Sequence, residues 1–269
     1  MPPTKQWALA HGLPVLQPEK VKQGRLKALI EPFAPDVLVV TAYGRILQPD
    51  VLAMAPLGAV NAHASILPKY RGAAPIQWAV ARGETETGVT IMQMDEGLDT
   101  GPVYAERRVA ILKEDDAGAL SVKLAELAAT VVREDLPRAV GGELRAVPQD
   151  GSMATFAPPL TREHGKIDWN MTSQHVVDRV RGLSPRPGAF TSRAGRTLKV
   201  LGASGGPVLD AGQASRPGTV IRADRGGLWV SASDRAVVVE RAQLEGKKAM
   251  NGVDLVNGRA VQLGDVLGC

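Results

Sequence analysis

Asp36-Val37-Leu38-Val39-Val40-Thr41-Ala42 is an unbroken run rich in β-branched residues. A strand with one wet face alternates apolar and polar side chains, so a continuous run predicts a strand covered on both faces, as in a parallel sheet. Gly44 lets the chain turn after it, residues 48–54 suit a short helix, and Ala59-Val60-Asn61-Ala62-His63 predicts the next strand. A helix over residues 76–82 is opened by Pro75 and closed by Gly83, the residue types that suit those two ends. Val89-Thr90-Ile91-Met92-Gln93-Met94 predicts a third buried strand, and residues 102–111 a further extended segment. Leu120, Leu124, Leu127 and Val131 then mark one face of a long helix reaching Pro137. Upstream, Val21, Leu26, Leu29 and Ile30 give residues 19–30 an amphipathic helix stopped before Pro32, and residues 5–12 end a helix at Gly12. Helices alternating with buried strands predict an α/β sheet with crossover connections.

The pattern changes after residue 140. Gly, Pro, Gln, Thr and charged residues dominate 141–163 without apolar periodicity, so a linker is expected over 151–171, between a first domain at 1–150 and a second at 172–269. Thr172 is placed to cap a helix that buries Val176, Val177 and Val180. Short β-rich runs follow at 190–192, 197–201, 218–221, 228–231 and 236–240, with Arg225-Gly226-Gly227 and Ser233-Asp234 as turns, which predicts a small β-barrel or sandwich.

Composition narrows the function. With 44% hydrophobic and 22% charged residues, the 269-residue chain has the balance of a globular protein. It contains no apolar run near the roughly 20 residues that span a bilayer. Residues 1–7 lack the apolar core of a secretory signal, which favours a cytoplasmic setting, a bacterial cytosol or an organelle matrix. The single cysteine, Cys269, excludes an internal disulfide and a cysteine-based zinc site. Residues 1–160 hold 16 basic and 18 acidic side chains, net −2, whereas residues 161–269 hold 16 and 10, net +6. A basic module beside a near-neutral one suits a polyanion such as nucleic acid, although a solvated surface of mixed sign gives the same count.

Asn61 and His63 stand two apart on a predicted strand, so both side chains leave the same face. Both can donate a hydrogen bond to an oxygen gaining charge in acyl transfer, and His63 can move a proton near neutral pH. Asp99, in Gly97-Leu98-Asp99-Thr100-Gly101, is the candidate partner, though an Asp between glycines is also an ordinary turn former. A Ser65-His63-Asp99 triad is the rival, but Ser65 lies outside any Gly-x-Ser-x-Gly elbow. No Gly-x-Gly-x-x-Gly or phosphate-cradling loop occurs, and His11, His63, His164 and His175 lack metal-ligand spacing, so no metal is expected.

Asn61-Ala62-His63-Ala64-Ser65-Ile66-Leu67-Pro68, then Arg71-Gly72-Ala73-Ala74-Pro75-Ile76-Gln77, residues 86–101, and Gly246-Lys247-Lys248-Ala249-Met250 together resemble the methionyl-tRNA formyltransferases. Asn-x-His, Ser-x-Leu-Pro and the later Asp belong to the wider formyltransferase superfamily; the fuller match points to the tRNA enzymes. The resemblance implies a Rossmann-like open parallel sheet followed by an OB-like β-barrel. It also implies 10-formyltetrahydrofolate as donor and initiator methionyl-tRNA as acceptor; separately, a monomeric chain is expected. Asn61 and His63 would hold the formyl oxygen, with Asp99 tuning His63 and helping to remove the amine proton. Arg45, Ile46, Leu47, Ser65, Ile66, Leu67, Pro68 and Asp95 would line the folate pocket. The candidate tRNA contacts are Arg179, Arg181, Arg186, Lys247 and Lys248.

Two departures from the family pattern stand out. Ser184-Pro185-Arg186-Pro187 replaces the usual Asn-Pro-Trp-Pro, and the chain begins where relatives have already formed a first strand-helix-strand unit. An N-terminally truncated sheet with exposed apolar faces and an unpaired strand edge is therefore expected. The alternative functions are a formyltransferase acting on an amino sugar or nucleotide, and an inactive folate- or RNA-binding remnant.

Overall fold

The computed structural model describes residues 1–208 and 215–268; Cys269 lies outside them. Helices α1 (Pro3–Ala10) and α2 (Arg25–Ile30) precede β1 (Leu38–Val40), and α3 (Pro49–Leu52) precedes β2 (Ala59–His63). The first half continues with α4 (Pro75–Ala81), β3 (Glu86–Gln93), β4 (Val103–Ala110), α5 (Ala117–Glu134) and α6 (Leu136–Val140). The strands lie side by side in chain order. β1 and β2 are parallel, with Leu38 beside Ala59, but β3 is antiparallel to β2 and β4 to β3. The sheet is thus mixed, and the parallel arrangement expected from the apolar runs applies to β1 and β2. β3 is buried along nearly its whole length, as expected, with Leu120 and Leu124 of α5 in the same core. Burial of both faces requires covering layers and says nothing of strand direction, so the run could not reveal it.

β1 covers only residues 38–40 of the run that announced it, and the chain leaves extended geometry at Ala42 with φ +46°. It forms the sheet edge, with Val39, Phe33 and Trp7 exposed, and α1 buries no residue.

The second half comprises α7 (Ser173–Leu183), β5 (Ala189–Arg193), β6 (Arg196–Val208), β7 (Val220–Asp224), β8 (Gly227–Ser231), β9 (Arg235–Leu244), β10 (Met250–Asn251) and α8 (Gly252–Asn257). Thr172 caps α7, its hydroxyl accepting the His175 N–H. The strands form an antiparallel sheet in the order β5-β6-β9-β8-β7, with β10 on β9. Residues 264–268 fill the seam between its ends: Val220 N donates to Asp265 O, and Gly268 N to Ser192 O, each at 2.8 Å. Val176, Val177, Val180 and Leu183 of α7 pack into the same core as the inward residues of this sheet.

The two halves meet where α7 crosses α4, and a Cβ on Gly182 would lie 2.4 Å from the Ala81 nitrogen. Ser184 Oγ donates to Asp116 Oδ2 at 2.7 Å across the same junction. The stretch expected as a linker is tied down along its length. Thr155 O accepts from Arg71 N at 2.9 Å and Ala157 N donates to Arg71 O at 2.8 Å, Ala157 is fully buried, and Trp169 sits in the second core. Its peptide groups find partners in strands and loops, a demand that leaves no periodic trace in sequence. Among the described residues no helix is long and apolar enough to cross a membrane.

Candidate active site

β2 ends at His63, and its alternation turns Asn61 and His63 to one face. Both are buried. His63 Nε2 lies 3.0 Å from the carbonyl oxygen of Tyr70, which can only accept, so Nε2 carries the hydrogen and Nδ1 faces the other way. There Nδ1 stands 3.7 Å from Asp99 Oδ2, and Asn61 Nδ2 donates to Asp99 Oδ1 at 3.5 Å. Asp99 comes from the β3–β4 connection with φ +52°. Its Oδ2 also accepts the Gly72 N–H at 2.8 Å. The three residues singled out in the sequence thus converge, 38 positions apart along the chain at the widest.

The rival triad is not assembled. Ser65 is fully buried, and its hydroxyl donates to Lys69 O at 2.6 Å, inside its own loop. Thr90 holds that loop, donating to Ser65 O at 2.7 Å and accepting the Leu67 N–H. Ser65, Leu67 and the partly buried Ile66 and Pro68 therefore shape the wall beside His63. Tyr70 serves through its backbone; burial and a 2.7 Å bond to Glu84 push its phenol well above the usual tyrosine range, so it stays protonated.

Other expected residues lie further out. Asp95 is exposed and folds its own loop, its Oδ1 accepting from Gly97 N and Thr100 Oγ1. Arg45 and Ile46 line an open cleft of about 720 Å³ together with Lys20, Lys22 and Arg25, and Arg45 donates to Glu19 O. None of Asn61, His63 and Asp99 lines that cleft. Leu47 packs instead into a small cluster with Val21, Leu26 and Val51.

The basic residues divide. Arg186, Lys247 and Lys248 are exposed. Arg181 donates to Asp115 O, Leu112 O and Asp178 Oδ1 at 2.7 to 2.9 Å, and Arg179 donates to His164 O at 3.0 Å. These two spend their guanidinium groups on the protein, because α7 is wedged against loops with carbonyls to satisfy. Among the described residues no group of three or more His, Cys, Asp or Glu is placed to hold a metal ion.

Sequence reading missed Gln149, whose amide bonds Arg71 on one side and the Asp99 and Gly101 carbonyls on the other. A lone glutamine in an aperiodic stretch carries no signal.

The Formyl transferase family matches residues 2–136, and the Formyl transferase C-terminal domain matches residues 159–260. Methionyl-tRNA formyltransferase of Sorangium cellulosum is 51% identical over 267 residues, 99% of this chain and 86% of that protein. The chain belongs to the methionyl-tRNA formyltransferase family. Solved formyltransferases share the fold at low identity. Methionyl-tRNA formyltransferase from Clostridium thermocellum superposes with TM-score 0.56 at 19% identity, over 74% of this chain and 86% of that one. WlaRD, a sugar 3N-formyl transferase solved in the presence of dTDP and 5-N-formyl-THF, gives TM-score 0.66 at 15% identity, over 91% and 82%.

Proposed function

We propose that the chain transfers a formyl group from 10-formyltetrahydrofolate to the α-amino group of initiator methionyl-tRNA, acting in the cytosol as a monomer. The observation that carries the reading is the convergence of Asn61 and His63 with Asp99 at the end of β2. The kinship with the Sorangium cellulosum enzyme and the formyl-THF present with WlaRD support the acceptor and the folate donor respectively.

The polar atoms fit a formyl group, since an amide donor, an imidazole nitrogen and a carboxylate meet where β2 ends. The folate supplies a formyl carbonyl open to attack by an amine. One N–H of the Asn61 amide is turned to Asp99, which leaves the second to donate to the carbonyl oxygen as it gains charge. His63 has spent Nε2–H on Tyr70, so a proton it exchanges during the reaction passes through Nδ1, the nitrogen that faces Asp99. Asp99, anchored through Gly72 N–H, faces Nδ1 and accepts the proton that the attacking amine must lose, directly or through water, then returns it to the departing folate nitrogen as the bond from that nitrogen to the formyl carbon breaks. Arg186, Lys247 and Lys248 project from the basic half and would meet tRNA phosphates.

The test is formyl transfer by the purified chain with methionyl-tRNA, free small amines and an amino sugar nucleotide as competing acceptors. Transfer confined to methionyl-tRNA is expected. Preference for the sugar overturns the acceptor, and tRNA binding with no transfer to any acceptor identifies a binding remnant.

A further inference from the structure

We propose that Gln149 is a positioning residue for the Asp99 carboxylate, a role that rests on the function proposed for the Asn61, His63 and Asp99 site. Gln149 Nε2 donates to Asp99 O at 2.9 Å and to Gly101 O at 2.7 Å. Its Oε1 accepts from Arg71 Nε at 3.2 Å and Nη2 at 2.7 Å. The amide orientation is fixed by its partners, since carbonyls only accept and a guanidinium only donates.

The loop needs such a brace. Asp99 has φ +52°, a left-handed conformation that side chains other than glycine seldom hold unaided. Its carboxylate meets His63 at 3.7 Å and Asn61 at 3.5 Å, both at the outer limit of direct interaction, so a small displacement of the backbone breaks both. Arg71 supplies the fixed end. It is buried, and its backbone is paired on both sides, Arg71 N to Thr155 O at 2.9 Å and Ala157 N to Arg71 O at 2.8 Å. The next residue, Gly72, gives its N–H to Asp99 Oδ2. Two consecutive residues thus hold Asp99, one through Gln149 at the backbone and one directly at the carboxylate.

The chemistry demands an amide of this length. Glu at 149 would keep an acceptor for Arg71 but set a second acceptor against two carbonyls, and Asn is one carbon short. Gln149 touches no reacting atom and acts through Asp99.

The experiment compares wild type, Gln149→Glu, Asp99→Asn and the double variant as full-length chains, with rates scaled to folded protein. Gln149→Glu is expected to lower kcat by about 10- to 100-fold with KM for both substrates within about 3-fold, the size of effect a roughly 1 Å misplacement produces. In the Asp99→Asn background the same change should cost less than about 3-fold more, because residues acting as one unit are not additive. Unchanged kcat, or an equal loss in both backgrounds, overturns the role of Gln149. Should Gln149→Glu not fold, Gln149→Asn takes its place, with the same loss expected and the same two outcomes overturning the role. If Asp99→Asn keeps full turnover, the proposed function of the site itself fails, and the role of Gln149 with it.

Discussion

His63 gives its Nε2–H to the Tyr70 carbonyl at 3.0 Å, and this one bond turns Nδ1 toward Asp99. The tautomer is set by the backbone of the loop that follows β2, and the proton-handling nitrogen is the one nearest the carboxylate. His63→Ala is therefore expected to lower kcat by about 10²- to 10⁴-fold, the range for a positioned acid–base group, while folate affinity changes little. Asp99→Asn should behave alike. Comparable small losses in turnover and in folate binding, measured by steady-state kinetics and titration, would count against both roles.

Gly72 has φ +122°, and a Cβ there would lie 2.7 Å from Ala157 O. Gly72→Ala should destabilise the fold by about 2 kcal/mol, combining left-handed strain with a clash against backbone. It should also lower kcat by displacing the N–H that holds Asp99. Urea denaturation checks the first effect, and a variant as stable as wild type refutes it.

Asp115 links the two halves of the molecule. Burial alone would push its carboxyl up, but bonds from Lys123 and Leu112 N–H, with Arg181 nearby, hold it below the ordinary carboxylate range. A carboxyl depressed on folding adds stability above its unfolded pKa of about 3.9, and that contribution disappears as pH falls through the lower folded value. Asp115→Asn should cost about 2 kcal/mol at pH 7, less than a fully buried pair because Lys123 is partly exposed. The gap from wild type should close as melts are taken from pH 5 toward pH 2. A gap that widens in acid contradicts this.

Arg181 and Lys247 should separate stability from tRNA binding. Arg181→Ala removes bonds to Leu112 O, Asp115 O and Asp178 and should destabilise by about 2 kcal/mol, leaving the salt dependence of tRNA binding unchanged. Lys247→Ala, Lys248→Ala and Arg186→Ala should each reduce the slope of log K against log salt by about 1 with melting temperature unaltered. Filter binding over a salt series, alongside thermal melts, distinguishes the two classes.

Local chemistry was enough to read much of this protein. The apolar run in β3, the Pro75 and Gly83 boundaries of α4 and the Thr172 cap are each written within a few residues, so they appeared where the sequence put them. Asn61 and His63 shared a face because strand alternation alone requires it. What lay beyond sequence were relations between distant segments. Apolar runs do not encode strand direction, so the antiparallel pairing of β3 went unread. Arg181 looked like a phosphate ligand because net charge does not show which guanidinium already meets a carbonyl. Gln149 sits in a stretch without periodicity, 50 residues from Asp99, and only the folded chain brings its amide to that backbone. Local residue patterns accounted for most of the helices and strands and for the polar trio; which atoms face one another came only with folding, because hydrogen bonds between remote segments depend on packing and leave no local pattern.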